Sequence, residues 1–279
     1  MRRAFAAPSG RVSASQLLLL FLVGILVVFC VLPYMHYHPT RGVNVRQKAQ
    51  LHSIEAALEL FDSQFKGYPP SDANDVTGLP YCGAMKLAEA MMGQDAMGFH
   101  SESTFRADGL DPNGRTRLYV ADTLKDRPGP FLQPENANWH RLVDIYGKAM
   151  TGPFLENTCV LCDTYVKKRP GGKKIGMPIL YYRAHRSRTA HDLDNPDNPR
   201  NIYDYRDNLA LIKLGVPGDP NAVHPLADPK RFYLNTQNTQ ASGPAPYRRD
   251  SYLLISAGWD GLYGTADDIC NFDWRYRER

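Results

Sequence analysis

The sequence has little cysteine and little net charge, and it lacks the motifs of common hydrolases. Its 279 residues include five cysteines and carry a formal net charge of +4. Such a small charge does not identify a nucleic-acid binder, because whole-chain charge reports on solubility and association. The chain contains no His-Glu-x-x-His and no Gly-x-Ser-x-Gly pattern, so no motif supports a hydrolytic site. We therefore expect no catalytic residues and no enzymatic activity.

The few cysteines restrict the metal and redox chemistry. Cys159 and Cys162 form a Cys-x-x-Cys pair, which is compatible with half a zinc site, a redox pair or a strained disulfide. A zinc ribbon needs a second such pair, and Cys82 and Cys270 stand alone. Cys30 lies in an apolar run, and in an oxidising compartment the other four favour disulfides. Of the three possible pairings, we expect Cys159 with Cys162 and Cys82 with Cys270.

The longest apolar run extends from Leu17 to Leu32 and contains no charge. A bilayer core of roughly 30 Å needs about 20 apolar residues in a helix, so a few flanking residues are expected at the interface. Arg2, Arg3 and Arg11 precede the run, a bias that keeps a short flank in the cytoplasm. A cleaved secretory signal fits poorly, because no small-x-small site follows. We predict a single-pass anchor in the inner membrane, with a cytoplasmic N-terminus and a periplasmic C-terminal domain.

An amphipathic helical pattern follows the anchor. Asn44, followed three residues later by Gln47, is typical of a capping box, so we predict a break at Pro33 and a new helix over about residues 44–66. Its apolar positions recur at spacings of three and four, which places them on one face; they are Leu51, Ile54, Leu58, Phe61 and Phe65. One apolar face needs a partner to cover it.

Beyond this spine the chain is rich in turns, and we predict few regular elements. They are a helix over about Cys82–Met92 and strands over Leu142–Tyr146, Pro178–Ala184 and Ser251–Ala257. The predicted fold class is α+β, with the N-terminal helix packed on a small antiparallel sheet with long loops. The flank and anchor form residues 1–33 and the periplasmic domain residues 34–279, with variable insertions over about 150–250. Connections that long are usually functional or disordered.

The stretch 256–271 gathers three carboxylates, Asp260, Asp267 and Asp268, among three glycines. Calcium takes six to eight oxygen ligands, which a glycine-rich loop can supply from its carbonyls. Without a cation the three acids would repel one another. The spacing is not that of an EF-hand, and an Asp-Gly turn with exposed acids explains the same residues equally well. The residues alone leave both interpretations open.

Two segments of the chain resemble the major pseudopilins of type II secretion systems and related type IV pilin-like proteins. They are the sequences IEAALELFDSQFKGYPPS and YLLISAGWDGLYGTADDICNF, at the two ends of the predicted domain. The resemblance implies a pilin-like fold in which the C-terminal loop binds Ca²⁺. By the same alignment Asp260, Asp267 and Asp268 are its side-chain ligands, joined by the carbonyls of Ala257, Leu262 and Asn271. It covers roughly the first seventy and last thirty residues and hardly the middle.

The N-terminus departs from that family. Its members carry a Gly that prepilin peptidase cleaves, usually before Phe or Met, and a Glu at the fifth mature position. Here Gly10 precedes Arg11, and Gln16 is the only polar residue near the position of the Glu. A Gln can donate hydrogen bonds but cannot form an ion pair. The chain is then either a tip or minor subunit, or it is neither processed nor assembled.

Other charged stretches have simpler explanations. Residues 108–114 and Asp192–Asp197 are compatible with calcium sites but are more simply turns. The basic residues 167–174 could contact phosphates, but no aromatic residues interleave them for base stacking, so a solvated loop is favoured.

The resemblance favours a structural pseudopilin-like subunit of a type II secretion or type IV pilus-like filament. Its expected partners are other pilin-like subunits, the secretion assembly platform and inner-membrane lipid, without a small-molecule substrate and without nucleic acid. The alternative is a stand-alone, membrane-anchored periplasmic binding or hydrolytic protein on a pilin-like scaffold.

Overall fold

In the computed structural model the chain combines helices with small antiparallel sheets, which confirms the α+β class. The structure describes residues 14–219 and 221–277, although it leaves out the side chains of most residues between 14 and 40. Arg2, Arg3, Gly10 and Arg11 lie outside the described residues. In the described part, no helix is both long enough and apolar enough to cross a bilayer. Most side chains of Leu17–Leu32 fall outside that part, so the anchor stays a prediction.

The first helix, α1, is continuous from Ala14 to Phe65. The predicted break at Pro33 and restart at Asn44 are therefore wrong. A proline removes one backbone hydrogen bond from a helix, but α1 continues on both sides of Pro33. The chain divides into two compact units, residues 1–43 and 44–279.

Within the second unit, α1 buries the predicted apolar face. Leu51, Ile54, Leu58 and Phe61 are at most 3% exposed, and Phe65 packs against the same core. Full burial of such a side chain stabilises a fold by about 1.5–3 kcal/mol. This face of α1 therefore holds the helix against the rest of the unit.

The second helix, α2, spans Gly83–Met92, and all ten of its residues are buried. The predicted helix over 82–92 is thus confirmed. A Cβ atom at Gly83 would lie 2.1 Å from the carbonyl oxygen of Tyr181, so α2 needs a glycine where it meets the sheet.

In the described part of the chain, seven short strands form three antiparallel sheets. Two of these sheets are strand pairs, β1 (Trp139–Arg141) with β2 (Cys159–Leu161) and β3 (Lys167–Lys168) with β4 (Lys174–Ile175). The third has the order β5 (Leu180–Arg183), β6 (Tyr252–Ser256) and β7 (Ile269–Cys270). Its β5 and β6 confirm the strands predicted over 178–184 and 251–257. Ile255 of β6 lies opposite Leu180 on one side and Cys270 on the other.

The remaining elements are short helices. Within residues 14–219 and 221–277, four are α-helical, α3 (Pro134–Ala137), α4 (Leu142–Tyr146), α5 (Leu209–Ile212) and α6 (Pro229–Thr236), and four are 3-10 turns over Ala121–Asp126, Lys148–Met150, Tyr205–Asn208 and Pro225–Ala227. The strand predicted over 142–146 is therefore wrong, because a five-residue apolar run does not distinguish a strand from a buried helix. The long connections contain ordered elements.

The predicted disulfides are also wrong, because Cys82, Cys159, Cys162 and Cys270 are all free thiols. Cys159 begins β2 and Cys162 directly follows it. Three residues of extended chain span about 10 Å, whereas bridged cysteines need Cα atoms within about 7 Å. Cys82 immediately precedes α2, which packs on β5, and β6 separates β5 from Cys270 in β7. The sheet geometry thus keeps both pairs apart.

Candidate functional site

The loop between β6 and β7 contains all three predicted carboxylates. Every residue of β6 is buried, and β7 pairs with it, so the sheet fixes both ends of the loop. Gly258 and Gly264 have positive φ angles of 63° and 91°. A Cβ atom at Gly258 would lie 2.3 Å from the Asp267 carbonyl oxygen, and one at Gly264 would lie 2.6 Å from the Leu226 nitrogen. The loop is therefore compact and depends on these glycines.

Backbone N–H groups of the loop donate to each carboxylate. The Asp260 nitrogen donates to Asp267 Oδ2 at 2.9 Å, and the Leu262 nitrogen donates to Asp260 Oδ1 at 2.7 Å. The Gly264 nitrogen donates to Asp268 Oδ2 at 2.7 Å. These three bonds turn the side chains of Asp260, Asp267 and Asp268 toward the loop's own backbone.

Thr265 links two of the acids. Its hydroxyl donates to Asp267 Oδ1 at 2.7 Å and lies 3.3 Å from Asp268 Oδ1. Its carbonyl accepts a hydrogen bond from Trp274 Nε1 at 2.8 Å. The residues after β7 thereby close over the loop.

Two of the acids are electrostatically unfavourable in this loop. Burial raises the pKa of Asp268 well above its ordinary value, and the charges of Asp267 and Asp260 raise it further. Burial also raises the pKa of Asp260, and Asp267 adds to that shift through its charge. Lys167 Nζ donates to the Asp260 carbonyl oxygen at 2.7 Å and not to a carboxylate of the loop. Chemically, a loop with such acids fits a divalent cation.

The three carbonyl groups expected as ligands differ in their burial and in their hydrogen bonds. The Leu262 oxygen lies 3.3 Å from the Thr265 hydroxyl, and Ala257 is fully buried at the end of β6. The Asn271 carbonyl already accepts a bond from Arg248 Nη1 at 3.3 Å. Over residues 14–219 and 221–277, no three His, Cys, Asp or Glu side chains are grouped so that they could hold one metal ion. A cation would thus require the carboxylates to turn from the backbone N–H groups toward a common point.

The two other acidic stretches are turns. Asp108 pairs with Arg106 Nη2 at 2.7 Å, and Asp111 Oδ1 accepts bonds from the nitrogens of Arg115 and Thr116. Asp192 accepts hydrogen bonds from the backbone nitrogens of Asp194 and Asn195 and from the side-chain amide of Asn198. Both stretches form turns, as predicted.

The basic stretch is partly used inside the fold. Arg169 is buried, and its Nε donates to the Ile175 carbonyl at 2.7 Å. Lys173 pairs with Asp144 at 3.1 Å, and Lys167 contacts the C-terminal loop. Lys167, Lys168, Lys173 and Lys174 are all exposed, and Lys168 faces Lys174 across β3 and β4.

The buried acids Asp163 and Glu89 were among those missed from the sequence. Burial raises the pKa of Asp163 to about 7, although two backbone nitrogens and the Ser256 hydroxyl donate to it. Glu89 is fully buried in α2. A single Glu within the apolar run of α2 was a signal for the second; the first carried no comparable signal.

No family model, no curated protein and no solved structure matches this chain.

Proposed function

We propose that this protein is a membrane-anchored, pilin-like structural subunit that packs through α1 against copies of itself or related subunits, in the manner of a type II secretion pseudopilin. The C-terminal loop takes Ca²⁺ through Asp260, Asp267 and Asp268 and stabilises the periplasmic domain. The apolar run Leu17–Leu32 is the anchor.

The observation that carries this proposal is the outer stripe of α1, defined as Val45, Ala49, His52, Ala56 and Leu60. All five residues are exposed, and their spacings of four, three, four and four place them on one helical face. Val45 is 70% exposed and Leu60 is 59% exposed. The opposite face is buried in the core. A helix with apolar residues on both faces can bury the second face against another subunit, where each large side chain contributes about 1.5–3 kcal/mol.

Photo-crosslinking in cells tests the packing. A benzophenone amino acid in place of Ala56 should yield products of two and more chains, because the outer stripe would lie in the interface. Leu60→Glu should suppress these products, since a buried unpaired carboxylate is costly. Val223→Glu is the matched control, because Val223 is an exposed apolar residue outside α1. Monomer alone, or products that Leu60→Glu does not reduce, would contradict subunit packing.

A further inference from the structure

A cavity of about 430 Å³ lies between the C-terminal end of α2, the loop 106–119 and the turn 155–159. Its wall includes Gly93 and Gly109, with φ angles of 78° and 68°. A Cβ atom at Gly109 would lie 2.6 Å from Gln94 Oε1. The volume falls within the range of about 300–1,000 Å³ that is usual for small-molecule sites.

The carboxylate of Glu89 lies at this cavity and is held by four neutral donors. Oε1 accepts bonds from the hydroxyls of Ser103 at 2.5 Å and Tyr119 at 2.7 Å. Oε2 accepts bonds from the Tyr81 hydroxyl at 2.6 Å and from Gln94 Nε2 at 3.1 Å. Burial raises the pKa of Glu89, and the hydrogen bonds offset that shift only in part. The carboxylate is therefore fixed in place without a countercharge.

The other carboxylates that line the cavity are each paired with a cation. The pairs are Asp95 with Arg127 at 2.7 Å, Asp108 with Arg106 at 2.7 Å and Glu156 with Lys148 at 3.2 Å. In the described part of the chain no Lys or Arg lies within ion-pair distance of Glu89. A buried charge of this kind is costly unless an opposite charge compensates it.

A second polar group at the cavity lacks a partner. Thr158 lines the cavity and is 5% exposed. Its hydroxyl is buried and has no hydrogen-bond partner among the described residues. Buried hydroxyls are usually satisfied, so a water or a bound ligand at the cavity would supply the missing partner.

From these observations we propose that the cavity is a binding site for a small organic cation. An ammonium or guanidinium group of the ligand pairs with Glu89, and the ligand satisfies the hydroxyl of Thr158. The site does not rest on the filament proposal, because a subunit and an anchored binding protein could both carry it.

Calorimetric titration of the full chain in mild detergent tests the ligand class. Putrescine and agmatine should bind at fixed ionic strength. Two probes of matched length should not bind, neutral butane-1,4-diol and anionic succinate. Equal binding of the diol, or no binding by either cation, would overturn the proposal.

Substitutions of single residues test whether the cation binds at this cavity. Glu89→Gln should raise the Kd of putrescine by about tenfold or more, because it removes the charge and nearly keeps the shape. Glu135→Gln is the control outside the cavity and should leave Kd within about twofold, because Glu135 is exposed and does not line the cavity. Thr158→Val keeps Glu89 and should raise Kd several-fold, so it decides the matter if Glu89→Gln does not fold. A Kd that neither Glu89→Gln nor Thr158→Val changes would refute the assignment.

Discussion

The C-terminal loop and the turn at Asp192 contain similar residues but differ in electrostatics. In the turn, the Asn198 amide and two backbone nitrogens donate to Asp192, and these bonds lower the pKa of its carboxyl. In the loop, burial and neighbouring carboxylates raise the pKa values of Asp260 and Asp268. Hydrogen bonds alone thus stabilise an exposed acid but not several acids that are partly buried together. The difference marks the loop as the place where a cation would add stability.

The largest effect is expected from steric crowding of the loop. Gly258→Ala should lower the free energy of unfolding by roughly 2–5 kcal/mol, from a left-handed residue at about 1–2 kcal/mol and overpacking against Asp267 at about 1–3 kcal/mol. Gly172→Ala is the matched control, because Gly172 has a φ of 80° with open space around it. This control should lower the free energy of unfolding only by the contribution of a left-handed non-glycine residue, about 1–2 kcal/mol. Urea unfolding of the full chain in detergent measures both, and equal losses would mean that the loop is not tightly packed.

Asp163 allows the effect of burial on an acid to be measured apart from the repulsion between neighbouring carboxylates. It is buried, and three donors form hydrogen bonds to its carboxylate. Its native pKa of about 7 exceeds the ordinary aspartate value of 3.8, so the native state binds more protons between those values. The contribution of Asp163 to stability is therefore present below about pH 4 and is lost as the pH rises through 7. Asp163→Asn keeps the acceptor for both nitrogens and can donate to Ser256.

We expect Asp163→Asn to stabilise the protein by on the order of 3 kcal/mol at pH 8 and to have little effect near pH 3.5. Asp192→Asn should give no such gain, because the native pKa of Asp192 is lowered. Denaturation series at both pH values measure the effect. A destabilised Asp163→Asn at pH 8 would show that this carboxylate is needed in its charged form.

Calcium should stabilise the domain through the C-terminal loop alone. A ligand that binds only the native state adds about 2.7 kcal/mol at a hundredfold excess over its Kd. Chelator should therefore lower the melting temperature of the full chain, and Asp268→Ala should remove the response. Asp192→Ala should retain it. Melting curves that overlay with and without calcium would leave the loop as an Asp-Gly turn only.

The smallest effect is expected from reductant, which tests whether a disulfide bond stabilises the loop. Since Cys270 and the three other described cysteines are free, dithiothreitol should leave the melting temperature unchanged within about 1 °C. Peptide mapping after alkylation without reductant should find the four residues alkylated. A linked Cys159 and Cys162 peptide would contradict the extended geometry of β2.

The sequence predicts those helices and strands whose apolar pattern is compatible with only one type of secondary structure. The apolar face of α1, the helix α2 and the strands β5 and β6 are long or periodic enough to be recognised. Leu142–Tyr146 is too short for that, and its helix ends at Gly147, which has a φ of 81°. The helix α6 was missed because it lies in a long polar stretch. Its start nevertheless carries the usual signals, since Asp228 supplies the cap and Pro229 the first-turn proline.

The candidate site was predictable in part for the same reason. Asp260, Asp267 and Asp268 are close in sequence, so a single loop brings them together. The cavity at Glu89 combines residues from three separate segments, and no local pattern reports that Glu89 lacks a countercharge. The bond from Arg248 to the Asn271 carbonyl is likewise a tertiary contact.

The bond from Trp274 to Thr265 gives the loop an optical reporter. The chain has three tryptophans, of which Trp274 donates to the Thr265 carbonyl and Trp259 stands exposed beside Asp260. Trp139 lies apart from the loop in β1. Any rearrangement of Thr265 and the acids that it links changes the indole environment of Trp274. Intrinsic emission of the unlabelled protein therefore reads the state of the loop directly, and Trp274→Phe isolates that signal from the other two indoles.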